Sequence, residues 1–297
     1  MSEQFGPQEW ITIGGSTSPN RRVTLEAFSR ANGKPIDELW TLLMKKELDP
    51  YKAADNMVKA RLMEGLARST VGMERGFVKQ FYEACEIPFK KDLFKRRVTR
   101  VPNVTESEPG TLSEDEIRVL FTILEPEWQA MISFLISTGC RIGEAFTVKT
   151  GDVDTSKVPV WVKFSAGHTK TNKFRYSFLS SETYQLMRTR LARGKANEMV
   201  FDFLKPSSFY NNLRRRLKRV QLTKPVQVGE KDQITKWTVH PHTFRSINKA
   251  ISNRAGFDPY WTEKLVGHET VQAHYASYEE MAESWLVKVD PKMRFLA

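Results

Sequence analysis

The residue types best suited to chemistry lie near the C-terminal end, where the chain reads Val239-His240-Pro241-His242-Thr243-Phe244-Arg245. Proline favours the first turn of a helix, so the spacing predicts that His242 and Arg245 share one helix face close to its N-terminal end. Backbone N–H groups without partners attract an anion there, and a guanidinium adds a permanent positive charge with two parallel donors. The pattern therefore predicts a phosphate-binding site.

A second group of reactive side chains follows in the sequence. A helix that begins at Asp258-Pro259 is predicted to end at Gly267, whose left-handed conformation would project His268 from the helix end. A further helix is predicted from Thr270, with Tyr275 and Tyr278 on one face. A phenol has a pKa near 10, so it needs a base or cationic surroundings to attack at neutral pH. The histidines and arginines nearby could supply both.

Five short motifs occur in a fixed order over about residues 111–280. They are Thr138–Glu144 (TGCRIGE), the lysine of Thr169–Lys173, the pair His242 and Arg245, Leu265–His268, and a following tyrosine. Together they resemble the motifs of the tyrosine recombinase (phage integrase) family, which belongs to the same mechanistic class as type IB topoisomerases. Each motif alone occurs by chance, but five in this order at similar spacing are specific. The helical N-terminal region is similar to the core-binding domain of that family.

The resemblance implies how a phosphodiester would be broken without a metal. Arg141 and Arg245 would stabilise charge on the non-bridging oxygens, and His268 would hydrogen-bond the phosphate. Tyr275 or Tyr278 would attack beside His242, and Lys170 would protonate the departing 5′ oxygen. The product is a 3′-phosphotyrosyl bond that stores the energy of the broken strand, so no nucleotide, metal or other cofactor is expected.

Three assignments have alternatives. The family pattern places its tyrosine nine residues after the histidine, whereas Tyr275 lies seven and Tyr278 ten residues after His268. The flanking residues favour Tyr275, with Tyr278 as the alternative nucleophile. Lys173 competes with Lys170 for the hairpin role, and Glu144 is expected to support the site rather than to react.

A metal site is the alternative use of the histidines. The candidate zinc ligands would be His240, His242, His268 and His274. No cysteine lies close to them in the sequence, and their spacing is not that of a zinc site. We therefore expect no metal.

The apolar spacing predicts that the N-terminal half is helical. Residues 1–22 are polar with scattered glycines and are expected to form a flexible tail, and residues 23–101 to form a helical DNA-binding domain. Residues 102–111 have the prolines and small polar residues of a linker. The linker places the domain boundary ahead of a catalytic domain at 112–297.

The second domain is predicted to be helical with a small sheet. Ser113 followed by three acidic residues is a typical helix start, and Trp128 to Ile136 is a buried helix. Val158 to Phe164 and Phe174 to Leu179 alternate in the manner of strands and predict an antiparallel hairpin. The expected fold class is mainly α with a small antiparallel sheet, in the two-domain clamp of tyrosine recombinases.

The charge predicts a polyanionic partner. The chain has 46 Lys and Arg against 35 Asp and Glu, a net charge of +11, and residues 1–105 and 106–297 are both net positive. Excess charge in both halves is typical of two domains that bind one nucleic acid, here double-stranded DNA. The residues expected to contact DNA are Lys90, Lys91, Arg96, Arg97, Lys173, Arg214, Arg215 and Arg216.

These observations predict a site-specific DNA recombinase that integrates or excises a mobile element. Alternatives are a Xer-like resolvase of replicon dimers, a topoisomerase-like enzyme that breaks and rejoins DNA, or a DNA-binding protein that keeps the fold without turnover. Recombination of two duplexes implies a tetramer on DNA, formed through the C-terminal segment after the tyrosine. Two cysteines far apart and the short apolar runs favour a reducing cytoplasm, with the protein on the nucleoid and no membrane span.

Overall fold

A computed structural model of the chain describes residues 5–102, 110–169, 173–227, 235–268 and 277–296. They divide into two compact units. The first lies within Met1–Glu108 and Val226–Lys236, and the second within Pro109–Pro225 and Trp237–Ala297. Residues 103–109 of the predicted linker lie outside the described residues, so the linker at 102–111 stays a prediction.

The first unit is helical, as the apolar spacing predicts. Its helices are α1 (Pro7–Thr12), α2 (Ser18–Asn32), α3 (Ile36–Met44), α4 (Pro50–Met63), α5 (Arg68–Ala84) and α6 (Lys91–Arg97). Helix α4 begins where Asp49 accepts hydrogen bonds from the backbone of Tyr51 and Lys52, with proline at its first position. Helices α2, α4 and α5 pack on one another around Phe28, Met57 and Phe81.

The prediction of a flexible tail at residues 1–22 is wrong for residues 7–22. Helix α1 and the start of α2 occupy this segment, and Trp10 is 1% exposed against Phe77 and Phe81. The polar residues around Trp10 hide the signal in the sequence, because a single large aromatic side chain can anchor an otherwise polar helix.

The second unit is built on a buried helix. Its helices are α7 (Glu114–Thr122), α8 (Pro126–Thr138), α9 (Ile142–Ala145), α10 (Ser181–Arg193), α11 (Pro206–Arg219), α12 (Pro241–Arg254), α13 (Pro259–Val266) and α14 (Tyr278–Lys288). Helix α7 begins with the predicted cap, since Ser113 and Glu116 bond each other's backbone N–H. Every residue of α8 from Ala130 to Thr138 is buried, and α10 and α12 pack against it.

The predicted hairpin forms part of a three-stranded antiparallel sheet. Strand β2 (Val160–Phe164) pairs with β3 (Arg175–Leu179), and the short β1 (Val153–Asp154) pairs with β2. This confirms a mainly helical fold with a small antiparallel sheet. The sequence reasoning missed a second sheet, formed by β4 (Pro225–Gln227) and β5 (Thr235–Trp237), because strands of three residues are too short for a visible alternation.

The C-terminal helix differs from its prediction. Ser277 has an extended backbone with ψ of 159° and caps α14, which therefore begins at Tyr278. The prediction of a single helix from Thr270 that carries both tyrosines on one face is wrong, because such a helix would have to continue through Ser277. Met281, Ala282 and Trp285 of α14 are buried in the core of their own unit.

Candidate active site

Arg245 is the buried centre of the site. It lies on the second turn of α12 and is 1% exposed. Its Nη1 donates to the carbonyl oxygens of Gly139 (2.9 Å) and Val266 (2.5 Å), and its Nη2 lies 2.8 Å from His268 Nε2. The single guanidinium thus joins the end of α8, the end of α13 and the histidine that follows it.

Helix α12 is fixed against the end of α8 by Asn248, which lies almost one turn beyond Arg245. The Asn248 side chain donates to the carbonyls of Ile136 and Ser137, two of the last carbonyls of α8, which have no partner within that helix. This contact places Arg245 beside Gly139.

Two glycines allow the helix ends to come this close. Gly139 has φ of 60°, and a Cβ on it would lie 2.6 Å from Val266 Cγ1. Gly267 has φ of 89°, and a Cβ there would lie 3.0 Å from Arg175 Nε. Both positions favour glycine for conformation, and Gly139 also for space.

Arg141 is held by Glu144. Arg141 caps α9, its backbone N–H donates to Glu144 Oε2 (2.8 Å), and its Nη1 lies 3.2 Å from Oε1. Glu144 also accepts two hydrogen bonds from Arg175 on β3, at 2.7 and 3.3 Å. Burial would raise the pKa of Glu144, but Arg175 and Arg141 hold it below its usual range, so the carboxylate is ionised.

His268 is oriented from both sides of its ring. An arginine can only donate, so His268 Nε2 accepts from Arg245, and the ring proton on Nδ1 faces the Glu263 carboxylate. Glu263 is in turn paired with Lys249 at 2.5 Å. Lys249 thus pairs with Glu263, and Glu263 in turn bonds and orients His268.

His242 is exposed on the first turn of α12. Partial covering by protein, followed by the positive charges of Arg245 and Arg141, lowers the pKa of His242 below its ordinary value of 6.5. The imidazole is therefore mainly neutral at pH 7, the form that accepts a proton.

The site is strongly electropositive. Burial, together with Arg141 and Arg175, lowers the pKa of Arg245 to about 10, which leaves it charged at neutral pH. Among the residues that the structure describes, the guanidiniums of Arg141, Arg175 and Arg245 lie near the imidazoles of His242 and His268 and the carboxylates of Glu144 and Glu263. This arrangement suits an anion that accepts several hydrogen bonds, such as a phosphate.

Tyr278 packs as a structural residue. Its ring contacts Trp161 and Tyr176, with centroids 6.2 and 5.2 Å away, and Lys264 Nζ lies 4.8 Å from its centroid. Burial raises the pKa of Tyr278 despite a hydrogen bond with the Tyr176 backbone. A raised pKa opposes formation of the nucleophilic phenolate.

Two predicted catalytic residues, Lys170 and Tyr275, lie outside the described residues. The structure brings together Arg141, Glu144, His242, Arg245 and His268. It adds Arg175, Glu263 and Lys249, which the sequence reasoning missed. Arg175 follows the predicted lysine motif by two residues, but an arginine in a strand carries no sequence signal for burial.

The residues expected to contact DNA have varied surroundings. Lys173 and Arg96 are exposed, Lys91 pairs with Glu83 at 3.0 Å and Arg97 with Asp49 at 2.6 Å. Lys90 is exposed at the start of α6.

The basic side chains of α11 have different contacts. Arg216 pairs with Glu125 at 2.8 Å and stacks over Trp128, which ties it to its own unit. Arg214 lies over the ring of Trp237 and bonds Asn211, while Arg215 bonds Asn212. The stacked pair of Arg214 and Trp237 offers a cation and an aromatic ring together.

Neither a metal cluster nor a membrane helix is found in the part of the chain that the structure describes. Those residues include no group of three His, Cys, Asp or Glu side chains that could hold a metal ion. Their helices are all too short or too polar to cross a bilayer.

Comparison with known proteins gives consistent matches. The model of the phage integrase family matches residues 111–284. The tyrosine recombinase XerA of Saccharolobus solfataricus is 29% identical over 173 residues, which cover 58% of this chain and 53%, about half, of XerA. The tyrosine recombinase XerC of Bacillus pumilus is 26% identical over 227 residues, which cover 71% of this chain and 70% of XerC.

Solved structures share the fold. A Tn1549 transposon integrase in complex with a circular intermediate DNA superposes with a TM-score of 0.58 at 16% identity, over 77% of this chain and 82% of that one. A lambda integrase tetramer bound to a Holliday junction superposes with a TM-score of 0.58 at 14% identity, over 91% and 78%.

Proposed function

The chain belongs to the phage integrase family of tyrosine recombinases, enzymes that cut and rejoin DNA, and we propose that it recombines DNA at specific sites through a covalent 3′-phosphotyrosyl intermediate. The observation that carries the proposal is the position of Arg245. It is buried, still charged, and held between two helix ends beside His268, with Arg141 close enough to affect its pKa.

In the proposed reaction the scissile phosphate binds where Arg141, Arg245 and His268 meet. The arginines neutralise the non-bridging oxygens as charge builds in the transition state. A phosphate oxygen would replace His268 Nε2 as acceptor of the Arg245 Nη2 proton and would then lie beside the imidazole ring.

The proposed nucleophile is Tyr275. The packing of Tyr278 against Trp161 and Tyr176 and the raised pKa of its phenol support this choice. The phenol oxygen attacks phosphorus, its proton passes to His242, and the bond from phosphorus to the 5′ oxygen breaks. Lys170 gives that oxygen its proton, with Lys173 as the alternative donor. Rejoining reverses each transfer, so the cycle consumes no nucleotide.

The partner is double-stranded DNA, and we propose that four protomers assemble on two duplexes. The packing of α14 within its own unit bears on this assembly, because Trp285 and Met281 are not exposed for a neighbour. Association through the C-terminal segment would then use its exposed side chains, such as Val287, or exchange the segment between protomers.

Integration or excision of a mobile element is the proposed task. The names of the relatives XerA and XerC support the alternative, a Xer-like resolution of replicon dimers. Sequencing the DNA beside the gene separates the two, because flanking direct repeats or an adjacent tRNA gene indicate a mobile element.

A covalent capture experiment tests the chemistry. The full chain is incubated with a pool of nicked duplexes whose central region is randomised, and DNA attached to protein after denaturation is sequenced. We expect the wild type and Tyr278→Phe to capture related sequences and Tyr275→Phe to capture none. Reversed results would make Tyr278 the nucleophile. Capture by both variants, or no capture by the wild type, would contradict the mechanism.

A further inference from the structure

Arg175 is a buried charge that the proposed reaction does not use. It lies on β3, is 4% exposed, and stacks over the ring of Phe164 at 4.2 Å. Its Nη1 and Nη2 bond the two carboxylate oxygens of Glu144, and its Nε donates to the Leu265 carbonyl at 3.0 Å. Burying a guanidinium costs free energy that its partners must offset, and the complete set of partners around Arg175 indicates a specific role for this side chain.

The partners of Arg175 belong to the phosphate site. Glu144 is also the residue that holds both the backbone and the guanidinium of Arg141. Leu265 lies two residues before Gly267, at which a Cβ would lie 3.0 Å from Arg175 Nε, and three residues before His268. Arg175 therefore bonds the two elements that present Arg141 and His268.

Arg175 is too deeply buried to contact DNA itself. Its five N–H groups lie in a planar fork, which allows it to bond a carboxylate side-on and a carbonyl at the same time. A lysine would place a single ammonium at one of these acceptors. The geometry thus suits a residue that fixes two others, and the short path through Glu144 leads to Arg141.

We propose that Arg175 is a positioning residue, which acts through Glu144 to aim the Arg141 guanidinium at a non-bridging oxygen of the scissile phosphate. The inference rests on the proposed function. It requires that replacement of Arg175 impair the same interaction with the phosphate that replacement of Arg141 removes. A purely structural role would instead lower the amount of folded protein and affect every substrate equally.

The test compares a phosphodiester with a neutral analogue. A captured duplex is made with its mapped scissile phosphate as either of the two methylphosphonate diastereomers, in which a methyl group replaces one charged oxygen. Single-turnover adduct formation is measured at saturating protein for the wild type, Arg141→Met, Arg175→Met and Arg175→Lys. On the phosphodiester we expect Arg141→Met and Arg175→Met to lose at least about 100-fold, the usual effect of one transition-state donor, and Arg175→Lys to lose less.

The decisive result is rescue by one diastereomer. The diastereomer that restores Arg141→Met to within about tenfold of the wild type should restore Arg175→Met and Arg175→Lys as well. Arg61→Met is the matched control, because it breaks another buried bidentate pair, with Glu74 in the first unit, at 2.6 and 2.8 Å. We expect its adduct yield to change by the same factor on all three substrates.

Two outcomes overturn the proposal. Equal losses for Arg175→Met on all three substrates, as for Arg61→Met, would show that Arg175 only stabilises the fold. Adduct formation by both Arg175 variants at the wild-type rate would show that Arg141 needs no such support. If the wild type forms no adduct, the proposed function itself fails. Arg175→Lys, which keeps a charge beside Glu144, provides the answer if Arg175→Met does not fold.

Discussion

At the scale of single residues, the contacts of Arg245 require the planar, forked shape of a guanidinium. Its Nη1 serves two carbonyls and its Nη2 reaches His268, and a lysine ammonium cannot span these positions. We expect Arg245→Lys to slow single-turnover cleavage by about 10²–10³-fold, the effect of one lost transition-state donor. DNA affinity, measured by fluorescence anisotropy, should change by less than about fivefold. A variant that cleaves within tenfold of the wild type would show that charge alone suffices.

The pKa of His242 predicts a pH dependence. The pKa of His242 lies below its ordinary value of 6.5, and the neutral ring is the form that accepts the tyrosine proton, so the cleavage rate should fall in acid with a midpoint below pH 6.5. We expect His242→Gln to lower the rate and to lose this acid limb. The measurement is a pH profile of single-turnover adduct formation. An unchanged acid limb in His242→Gln would assign the base to another group.

Cleavage should also persist with a chelator. The cations at the site are guanidiniums fixed by carbonyls and carboxylates of the protein, so they need no metal to bind the phosphate oxygens. We expect the same adduct yield in excess EDTA as in buffer with Mg²⁺. Loss of the adduct in EDTA, with recovery on addition of Mg²⁺ or Zn²⁺, would contradict the proposed mechanism.

At the scale of secondary-structure elements, the site depends on the close approach of the ends of α8 and α13. Gly139→Ala adds a methyl group 2.6 Å from Val266 Cγ1 in a left-handed conformation. Conformation costs about 1–2 kcal/mol and overpacking about 1–3 kcal/mol, so the free energy of unfolding of the second unit should fall by roughly 2–5 kcal/mol.

Gly33 provides the control for this prediction. It has φ of 66° at the end of α2, and a Cβ there would meet no atom within 4 Å. Gly33→Ala should therefore lower the free energy of unfolding only by the cost of the left-handed conformation, about 1–2 kcal/mol. Urea unfolding of the full chain, followed by tryptophan fluorescence, gives both values. Equal losses of unfolding free energy in the two variants would show that Val266 moves away from the added methyl group without a measurable cost.

At the scale of the whole molecule, the net charge of +11 predicts salt-dependent binding of DNA. Each phosphate contact contributes about 0.9 to the slope of log K against log salt. Replacement of Lys90, Lys91, Arg96 and Arg97 by alanine should lower that slope by roughly two to four. The smaller value applies if Lys91 and Arg97 remain paired with Glu83 and Asp49 in the complex.

The slope is measured by titration of the full chain and the fourfold variant over a range of salt concentrations. A parallel variant with Arg216→Ala should change the slope little, because Glu125 already neutralises that side chain. An unchanged slope in the fourfold variant would show that these residues of the first unit do not contact phosphates.

The sequence by itself determined the features that depend on neighbours along the chain. The helix starts at Ser113 and Pro241 and the helix end at Gly267 follow from caps and backbone preferences within a few residues. Arg141, His242, Arg245 and His268 could also be recognised from the sequence, because their motifs have the order and spacing seen in the tyrosine recombinase family.

Tertiary structure decided what depends on residues far apart in sequence. Arg175 bonds Glu144, 31 residues away in sequence, and the Leu265 carbonyl, 90 residues away, and Tyr278 is half-buried against Trp161 and Tyr176 of the sheet. The residue type of Arg175 gives no sign of this, because an arginine is usually solvated. Only packing excludes water from it and leaves Glu144 and the Leu265 carbonyl as its partners, so its place in the site follows from the fold.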